Sequence, residues 1–319
     1  MDFSLHTYKE GEETKVVKFL SSVFGIDYPL DLWHWKYKDH GLGTYEAIAK
    51  LGEEIIGHFG GLPRRVYYKG KYGLSALICD VAVSPKYRGL FRRKGIFYYL
   101  FHKFIEEYGS EDLEKRVFIL GYGFPTLKAR KLALKLGLYE DVEKVAEFLF
   151  YRTRIKKINI NFSFLRDLGQ DYKVVDALWN EMFNSLSSIM GKDFIVNLRN
   201  SSFLKWRIKQ PNAKFKVRVI YKFFKPKALF LIRTDKEIPL LYDYIGDLRN
   251  LGENLEILIE KDKYNILKVR FPLWIESFLK NLKYDKLNTD TFLVANKITG
   301  PRASEIKGKF FYSFGDEDV

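Results

Sequence analysis

The feature that most constrains the fold of this chain is a weak internal repeat. Five short segments in the first half of the 319-residue chain return in the second half in the same order. One such pair is weak evidence, but five pairs in one order indicate a folding unit that occurs twice. The pairs are KVVKFL with KVVDAL, LWHWKY with FLKWRI, SALICDVAV with IPLLYDYI, RVFILGYGFP with NILKVRFP, and LKLGLYE with FLKNLKY.

Within each unit, strand-like and helix-like hydrophobic patterns are mixed, so the expected fold class is α/β (α+β). Turn residues at Gly52 and at Lys69-Gly70 separate the predicted strands. An amphipathic helix begins at Ile96, and a second helix covers 126–136 and ends at Gly137. The predicted strands are 47–49, 54–59, 66–68, 74–83 and 117–120.

Length and composition predict two domains with a basic junction between them. A segment rich in Lys, Arg and Asn separates the two copies of the repeat. The predicted boundaries are residues 1–152 for the first domain, 153–170 for the junction and 171–319 for the second domain.

The charge balance favours acidic partners. The formal net charge of +14 attracts nucleic acid, an anionic membrane face or a polyphosphate cofactor. A solvated lysine-rich surface explains the same charge without any partner. Charge alone does not choose between these interpretations.

Other composition features exclude several classes of protein. A single cysteine, Cys79, excludes a disulfide framework and a cysteine-based zinc ribbon and predicts a reducing, cytoplasmic location. The N-terminus has no apolar leader, and no run of 18 apolar residues predicts a membrane span. The five histidines lack paired metal-binding spacing, so no metal is expected. Glutamine occurs only twice, a bias in the direction of proteins from hot environments.

The segment that carries chemistry runs from Asp80 to Phe101, where a strand leads through a basic turn into a helix. Backbone N–H groups at a helix start, together with the helix dipole, hold anions such as pyrophosphate. Gly95 lets a ligand approach the backbone closely, because it has no Cβ. The cations around this turn are Arg88, Arg92, Arg93 and Lys94. A solvated basic loop is the alternative interpretation of the same residues.

These residues resemble a known family. Arg92-Arg93-Lys94-Gly95-Ile96-Phe97 resembles the acetyl-CoA signature of the GCN5-related N-acetyltransferases (GNAT), R/Q-x-x-G-x-G/A, with strand Val81-Ala82-Val83 ahead of it. Phe97 stands where the family usually has a small residue. The loop is about four residues longer than is usual in the family, so either Arg88 or Arg92 opens the signature. The resemblance implies two tandem domains, each with a mixed, mostly antiparallel central sheet flanked by helices.

A second block supports the resemblance. Gly123-Phe124-Pro125-Thr126, followed by Lys135-Leu136-Gly137-Leu138, resembles the segment that closes the acetyl-CoA cleft in the family. Thr126 stands where asparagine is commoner. The tyrosine that often serves as general acid falls at Ala133, so Tyr122, Tyr139 and Tyr99 are the nearby phenols that could replace it.

The resemblance implies an N-acetyltransferase with acetyl-CoA as co-substrate and a small amine, amino sugar or peptide amine as acceptor. Backbone N–H groups of Val81, Ala82 and Val83 are expected to bind the thioester oxygen and the pantetheine arm. Asp80 is the candidate base, and a strand-end aspartate bonded to a neighbouring loop is its structural alternative. Trp33 and Trp35 are expected in the core, whereas Tyr37 and His40 could line the acceptor site.

The second half lacks an Arg-x-x-Gly turn before a long helix, so we expect it to be a degenerate copy that binds no acetyl-CoA. Asp316, Glu317 and Asp318 form an acidic tail, expected to be solvated, although tandem relatives allow a reach into the first cleft. The alternative function is a non-enzymatic basic protein of the same fold that binds nucleic acid or another anionic partner. Its supporting segments are RIKK at 154–157 and KFFKPK at 222–227.

Overall fold

The structure is a computed structural model that describes residues 3–89, 94–109, 116–152, 163–279, 282–296 and 300–317. Its strands are β1 (Ser4–Thr7), β2 (Tyr45–Leu51), β3 (Glu54–Tyr68), β4 (Lys71–Val83), β5 (Phe118–Gly123), β6 (Tyr139–Tyr151), β7 (Ser163–Asp167), β8 (Ile195–Asn197), β9 (Phe215–Lys222), β10 (Lys225–Arg233), β11 (Leu240–Gly246), β12 (Ile266–Phe271), β13 (Tyr284–Asn296) and β14 (Phe310–Phe311). Its α-helices are α1 (Glu13–Phe24), α2 (Leu30–Tyr37), α3 (Ile96–Tyr108), α4 (Leu127–Lys135), α5 (Lys173–Met190), α6 (Ser201–Arg207), α7 (Leu251–Lys261) and α8 (Ala303–Ile306).

These strands form one continuous sheet. Its order is β1-β2-β3-β4-β5-β13-β6-β12-β11-β10-β9-β7, with β8 paired to β3 and to β14. Neighbours are antiparallel except β4 with β5, β11 with β12, and β8 with β14. The predicted fold class, a mixed and mostly antiparallel sheet flanked by helices, is therefore confirmed.

The two halves exchange a strand at the centre of the sheet. β13, from the second half, lies between β5 and β6, and β6 lies between β13 and β12. Residues 284–296 therefore complete the sheet of the first half. The boundaries 1–152, 153–170 and 171–319 stay a prediction, and within the predicted junction Ser163–Asp167 is strand β7.

The internal repeat is visible where the two halves meet. Trp35 of α2 and Trp206 of α6 occupy matching repeat positions, and their rings stack with centroids 4.6 Å apart. The indole N–H of Trp35 donates to the carbonyl of Trp206 at 2.9 Å, and that of Trp206 donates to the carbonyl of Trp35 at 2.8 Å. Such reciprocal contacts are typical of a local two-fold axis.

One predicted interruption is wrong. The strands predicted at 54–59 and 66–68 are parts of one strand, β3, which continues through Gly60-Gly61. A Cβ at Gly60 would lie 2.2 Å from the Tyr37 hydroxyl, and one at Gly61 would lie 2.4 Å from the Phe104 ring. The glycines let helices approach both faces of the strand, so here they mark close packing and not a turn.

The first half has a core on each face of its sheet. α3 packs on one face through Leu100, Phe101 and Phe104. α1 and α2 pack on the other face, where Trp33 and Trp35 are buried as expected. Among the described helices, none is both long and apolar enough to cross a membrane.

Candidate functional site

A cleft opens in the first half where the parallel strands β4 and β5 separate. Their pairing runs from Leu74 with Phe118 to Leu77 with Tyr122. Beyond that point, the described residues of both strands line a cleft of about 370 Å³. The lining residues are Phe24, Leu77, Ile78, Cys79, Val81, Phe97, Gly123, Phe124, Pro125, Thr126, Ala129, Tyr139 and Glu317.

A β-bulge shapes the β4 side of the cleft. The pairing with β3 changes register between Cys79 and Ala82, so Asp80 and Val81 together oppose Phe59. Asp80 has a φ of +49°, in the left-handed region that aspartate tolerates better than bulky residues do. The bulge leaves Val81 as a lining residue of the cleft while the Asp80 carboxylate lies in a buried network.

The Asp80 carboxylate is held by three donors. It accepts from the Lys36 ammonium at 3.1 Å and from the hydroxyls of Tyr28 and Tyr37 at 2.8 Å each. Burial by itself raises the pKa of Asp80, but the positive charges of Lys36 and His58 and the two phenol donors outweigh it, so the pKa lies below its usual value. The Asp80 side chain is therefore buried and ionised, and its contacts indicate that it holds the β-bulge in place.

His58 supports the bulge from the neighbouring strand. Its Nδ1 lies 2.7 Å from the Asp80 carbonyl and its Nε2 lies 2.8 Å from the Glu46 carboxylate, which also accepts from the Trp33 indole at 3.0 Å. Burial alone lowers the pKa of His58, but the Glu46 charge and hydrogen bond outweigh it and raise the pKa. Because the Asp80 carbonyl and the Glu46 carboxylate can each accept a hydrogen bond, both contacts favour the protonated ring.

The N-terminus of α3 is suited to an anion. Gly95 is the N-cap residue, no side chain caps the helix, and its first turn holds no acidic residue. A Cβ at Gly95 would meet no atom within 4 Å, and its φ of −71° suits any residue, so the structure without ligand does not itself require glycine. Lys94 and Arg88 are exposed nearby, and Arg92 and Arg93 lie outside the described residues.

The other predicted cofactor-binding residues divide between the cleft and the core. Val81, Phe97 and Thr126 line the cleft, and the Thr126 hydroxyl caps α4 by accepting from the Ala129 amide at 3.4 Å. Ala82 is buried, pairs with His58 and does not line the cleft. The two remaining predictions are Val83, which pairs with Gly57, and Ile96, a buried contact of α3 with the sheet.

The structure separates the candidate phenols. Tyr139 lines the cleft, whereas Tyr122 is 1% exposed and its hydroxyl accepts from the Asn197 amide at 2.8 Å. Burial raises the pKa of both phenols, so both stay protonated at neutral pH. Tyr99 is exposed, and its ring packs on Phe3.

The expectation of a solvated acidic tail is wrong for its described part. Asp316 is fully buried, where it accepts from Asn197 at 2.7 Å and pairs with Arg199. Glu317 lines the cleft and ion-pairs with Arg270. Asp318 lies outside the described residues. The sequence signal for this burial was the run FFYSF at 310–314, which is apolar enough to carry the tail into the core.

Buried arginines hold the backbone of the same segment. Arg64 donates to the Gly315 carbonyl and Arg207 to the Glu317 carbonyl, each at 3.0 Å. Because each arginine lies far away in sequence, no local pattern identifies this contact. The segment is fixed beside the cleft by long-range charge pairing.

The two residues expected at the acceptor site lie in different places. The Tyr37 hydroxyl contacts Asp80 in the buried network. His40 lines a separate cavity of about 210 Å³, together with Arg64 and Trp206. Burial lowers the pKa of His40 to about 4, so its ring is neutral at pH 7.

Comparisons with known proteins agree with this geometry. Residues 4–124 match the family described as "Acetyltransferase (GNAT) domain". No curated protein matches the sequence. A probable N-acyltransferase of unknown function from Enterococcus faecalis is similar in structure, with a TM-score of 0.67, 14% identity and coverage of 94% of this chain and 73% of that chain. A GCN5-related N-acetyltransferase from Anabaena variabilis shares the fold with a TM-score of 0.64 and 13% identity, over 92% of this chain and 72% of that chain. The N-myristoyltransferase of Saccharomyces cerevisiae shares it with a TM-score of 0.58 and 12% identity, over 92% of this chain and 82% of that chain.

Proposed function

We propose that this chain, whose first half carries a domain of the GNAT family, transfers an acetyl group from acetyl-CoA to a primary amine of a small molecule, an amino sugar or a peptide. Membership of the family supports acyl transfer, and the acetyl donor and the amine acceptor are the finer parts of the proposal. The observation that supports it most is the cleft between β4 and β5, whose lining continues to Phe97 in the uncapped first turn of α3.

The cleft fits an acyl-CoA in three respects. The pairing of β4 with β5 ends at Leu77, so the β4 edge beyond it faces the cleft, where its backbone could bond a pantetheine arm. The uncapped N-terminus of α3 offers N–H groups and a positive dipole to a pyrophosphate. Lys94 and Arg88, together with the sequence positions Arg92 and Arg93, would add positive charge around it.

Acyl transfer requires stabilisation of the negative oxygen that forms on the thioester carbon. The bulge at Asp80-Val81 turns the β4 backbone at the cleft, and Val81 lines the cleft. We assign the stabilising N–H groups to this edge. Asp80 and His58 act as positioning residues, because their contacts fix the bulge from the buried side.

The acceptor amine needs a carboxylate, and Glu317 supplies one in the described lining of the cleft. Glu317 binds the ammonium and takes its proton, the nitrogen then bonds to the thioester carbon, and the carbon–sulfur bond breaks. The departing thiolate takes a proton from the phenol of Tyr139, whose raised pKa keeps it protonated until that step. The new amide nitrogen loses its extra proton to the Tyr139 phenolate, and Glu317 passes its proton to solvent. In this proposal Tyr122, one of the predicted catalytic phenols, positions the tail segment through Asn197 and does not touch substrate.

A thiol-release assay tests the proposal. The full chain is incubated with acetyl-CoA or myristoyl-CoA and a panel of primary amines, and free CoA is measured. We expect amine-dependent release from acetyl-CoA. Gly95→Asp should abolish it, because a carboxylate would repel the pyrophosphate, while the open space at Gly95 lets the variant fold.

The matched variants are Glu317→Gln and Glu276→Gln. Glu276 also holds an ion pair, with Lys286 at 2.8 Å, but belongs to the second half and does not line the cleft. We expect Glu317→Gln to lower kcat/KM about 100-fold and Glu276→Gln to leave it unchanged. Release of CoA from myristoyl-CoA but not from acetyl-CoA would contradict the proposed acetyl donor. Undiminished release of CoA by Gly95→Asp would contradict the assignment of the cleft.

A further inference from the structure

A two-residue turn of unusual composition joins β9 to β10. Phe223 and Phe224 form the turn, with φ values of +48° and +63°. Two-residue hairpin turns with both φ values positive favour Asn-Gly or Gly-Gly, because side chains beyond Cβ are strained in this region. For a bulky residue such a φ is a genuine outlier. We call Phe223 and Phe224 the phenylalanine turn.

The repeat provides an internal comparison. The matching turn of the first half, between β2 and β3, consists of Gly52 and Glu53, and Gly52 takes the positive φ of +58°. Glu53 is solvated there and ion-pairs with Lys15. The fold therefore accepts ordinary turn residues at this place, and the two phenylalanines are a property of the second half alone.

The phenylalanine turn is strongly exposed. Phe223 is 69% exposed and Phe224 is 86% exposed, the two highest values among the exposed large hydrophobic side chains of the described residues. The Phe224 ring centroid lies 5.8 Å from that of Phe164, which stacks on Tyr221 at 5.1 Å. An aromatic cluster thus extends from the edge of the sheet to the apex of the hairpin.

Lysines surround the aromatic apex. Lys222 and Lys225 directly flank the turn, and Lys227 follows. Lys225 is exposed, and Lys222 ion-pairs with Glu253 at 2.5 Å. Aromatic rings at an apex with cations behind them are typical of segments that insert into the interface of an anionic bilayer.

We propose that the phenylalanine turn docks this protein on an anionic lipid bilayer. The rings enter the boundary between headgroups and acyl chains, and the exposed Lys225 contacts lipid phosphates and carboxylates. The net charge of +14 adds long-range attraction to the same surface. The docking is peripheral and does not depend on the proposed acyl transfer.

The alternative partners fit these observations less well. Protein interfaces are depleted in lysine at their centres, whereas here lysines flank the rings on both sides. Single-stranded nucleic acid stacks its bases along a charged groove, whereas these rings stand at the convex apex of a hairpin. Both alternatives are outcomes of the test.

The test is co-sedimentation of the full chain with two kinds of vesicle, one of pure phosphatidylcholine and one with about one-third phosphatidylserine. The key variant is Phe223→Asn with Phe224→Gly, which installs a favoured turn sequence and should fold with an equal or higher melting temperature. We expect the wild type to bind the anionic vesicles, more weakly at high salt, and the variant to bind about 10- to 100-fold more weakly.

Two controls match the substitutions. Tyr72→Ser removes an aromatic side chain that is 65% exposed and lies elsewhere on the surface, so it should leave vesicle binding unchanged. Lys225→Glu should weaken binding, whereas Lys71→Glu, on another exposed lysine, should weaken it far less.

Three results would overturn the proposal. They are failure of the wild type to bind anionic vesicles, undiminished binding of the Asn-Gly variant, and a Phe224-dependent association with single-stranded RNA or with a second copy in place of vesicles. Loss of vesicle binding in the Asn-Gly variant at an equal or higher melting temperature would support it.

Discussion

The two halves of the molecule differ at the place where, in each half, two neighbouring parallel strands of the sheet separate. In the first half, β4 and β5 separate beyond Leu77 and leave a cleft of about 370 Å³. In the second half, β11 and β12 are paired only at Leu240 and Leu241, and the segment Phe314–Asp316 packs against both strands. Both halves have such an opening between parallel strands. The opening of the first half is an open cleft that could bind a ligand, whereas the opening of the second half is filled by Phe314–Asp316.

The turns beside the two openings differ in charge. In the first half, α3 begins without a side-chain cap and with Lys94 directly before its N-cap. In the second half, Asp247 supplies its own carboxylate as the cap of the 3₁₀ helix Leu248–Asn250, accepting from the Arg249 amide at 2.9 Å. A helix start that already holds an anion is unsuited to binding another. This contrast supports the expectation that the second half is the degenerate copy.

We expect the largest effect from a substitution that removes the ion pairs holding Phe314–Asp316 in the opening of the second half. Arg199 is fully buried and pairs with both Asp243 and Asp316. Arg199→Met leaves two buried carboxylates without this cation, and we expect the free energy of unfolding to fall by about 3–5 kcal/mol. Denaturant unfolding followed by fluorescence measures the change.

The control for Arg199 is Arg249→Met, which removes an exposed arginine from its pair with Asp247. We expect that variant to lose less than about 0.5 kcal/mol. Equal losses in the two variants would show that the tail segment is not held by the buried pair.

The next expected effect concerns the joint between the halves, where His40 lies against Trp206. Burial lowers the pKa of His40 from 6.5 to about 4, so its contribution to stability is complete above pH 6.5 and is lost as the pH falls toward 4. We expect a loss of up to about 3 kcal/mol over this range from His40 alone.

His40→Asn isolates that contribution, because an asparagine can still accept from the Leu42 amide, as His40 Nδ1 does at 3.0 Å. The stability of the wild type relative to this variant should decrease between pH 6.5 and 4. A constant difference over that range would mean that His40 is not held neutral at the joint.

A third experiment compares two tyrosines at matching repeat positions. Tyr139 lines the first cleft, whereas the hydroxyl of Tyr284 donates to Glu276 at 3.1 Å in the second half. Tyr139→Phe removes the proposed proton donor, and we expect kcat to fall about 100-fold. Tyr284→Phe should leave kcat unchanged. Similar rates for the two variants would remove Tyr139 from the mechanism.

The smallest expected effect compares two glycines near the starts of α3 and α7. A Cβ at Gly95 meets open space, whereas one at Gly252 lies 2.6 Å from the Phe278 carbonyl oxygen. Gly95→Ala should therefore leave the melting temperature unchanged, and Gly252→Ala should cost about 1–2 kcal/mol despite alanine's better helix propensity. Thermal unfolding separates the two, and a destabilised Gly95→Ala would show that this glycine serves packing.

The elements of the fold were predictable where the pattern is local. The hydrophobic period of α3 predicted that helix, and Gly52 predicted the turn between β2 and β3. The repeat placed Trp35 and Trp206 at matching positions, but it did not predict that their rings stack on each other. The break predicted between residues 59 and 66 was wrong, because β3 continues through Gly60 and Gly61, where the absence of a Cβ allows close packing. The exchange of β6 and β13 between the halves could not be predicted from the sequence, because strand order depends on pairing between residues far apart in the chain.

The candidate site was predictable in part for the same reason. The strand, basic turn and helix around Gly95 form a local pattern, and the structure leaves the start of that helix uncapped. The donors to Asp80 come from Lys36 and Tyr37, more than forty positions away, and Glu317 reaches the cleft from the end of the described chain. No sequence motif predicts either the donors to Asp80 or the position of Glu317 in the cleft.

Calorimetric titration of the full chain with acetyl-CoA tests the central claim most directly. The open cleft of the first half and the filled opening of the second predict binding at one site per chain, with loss of that site in Gly95→Asp. Two sites per chain would contradict the claim that the second opening is closed by Phe314–Asp316. Absence of binding would contradict the assignment of the first cleft to an acyl-CoA.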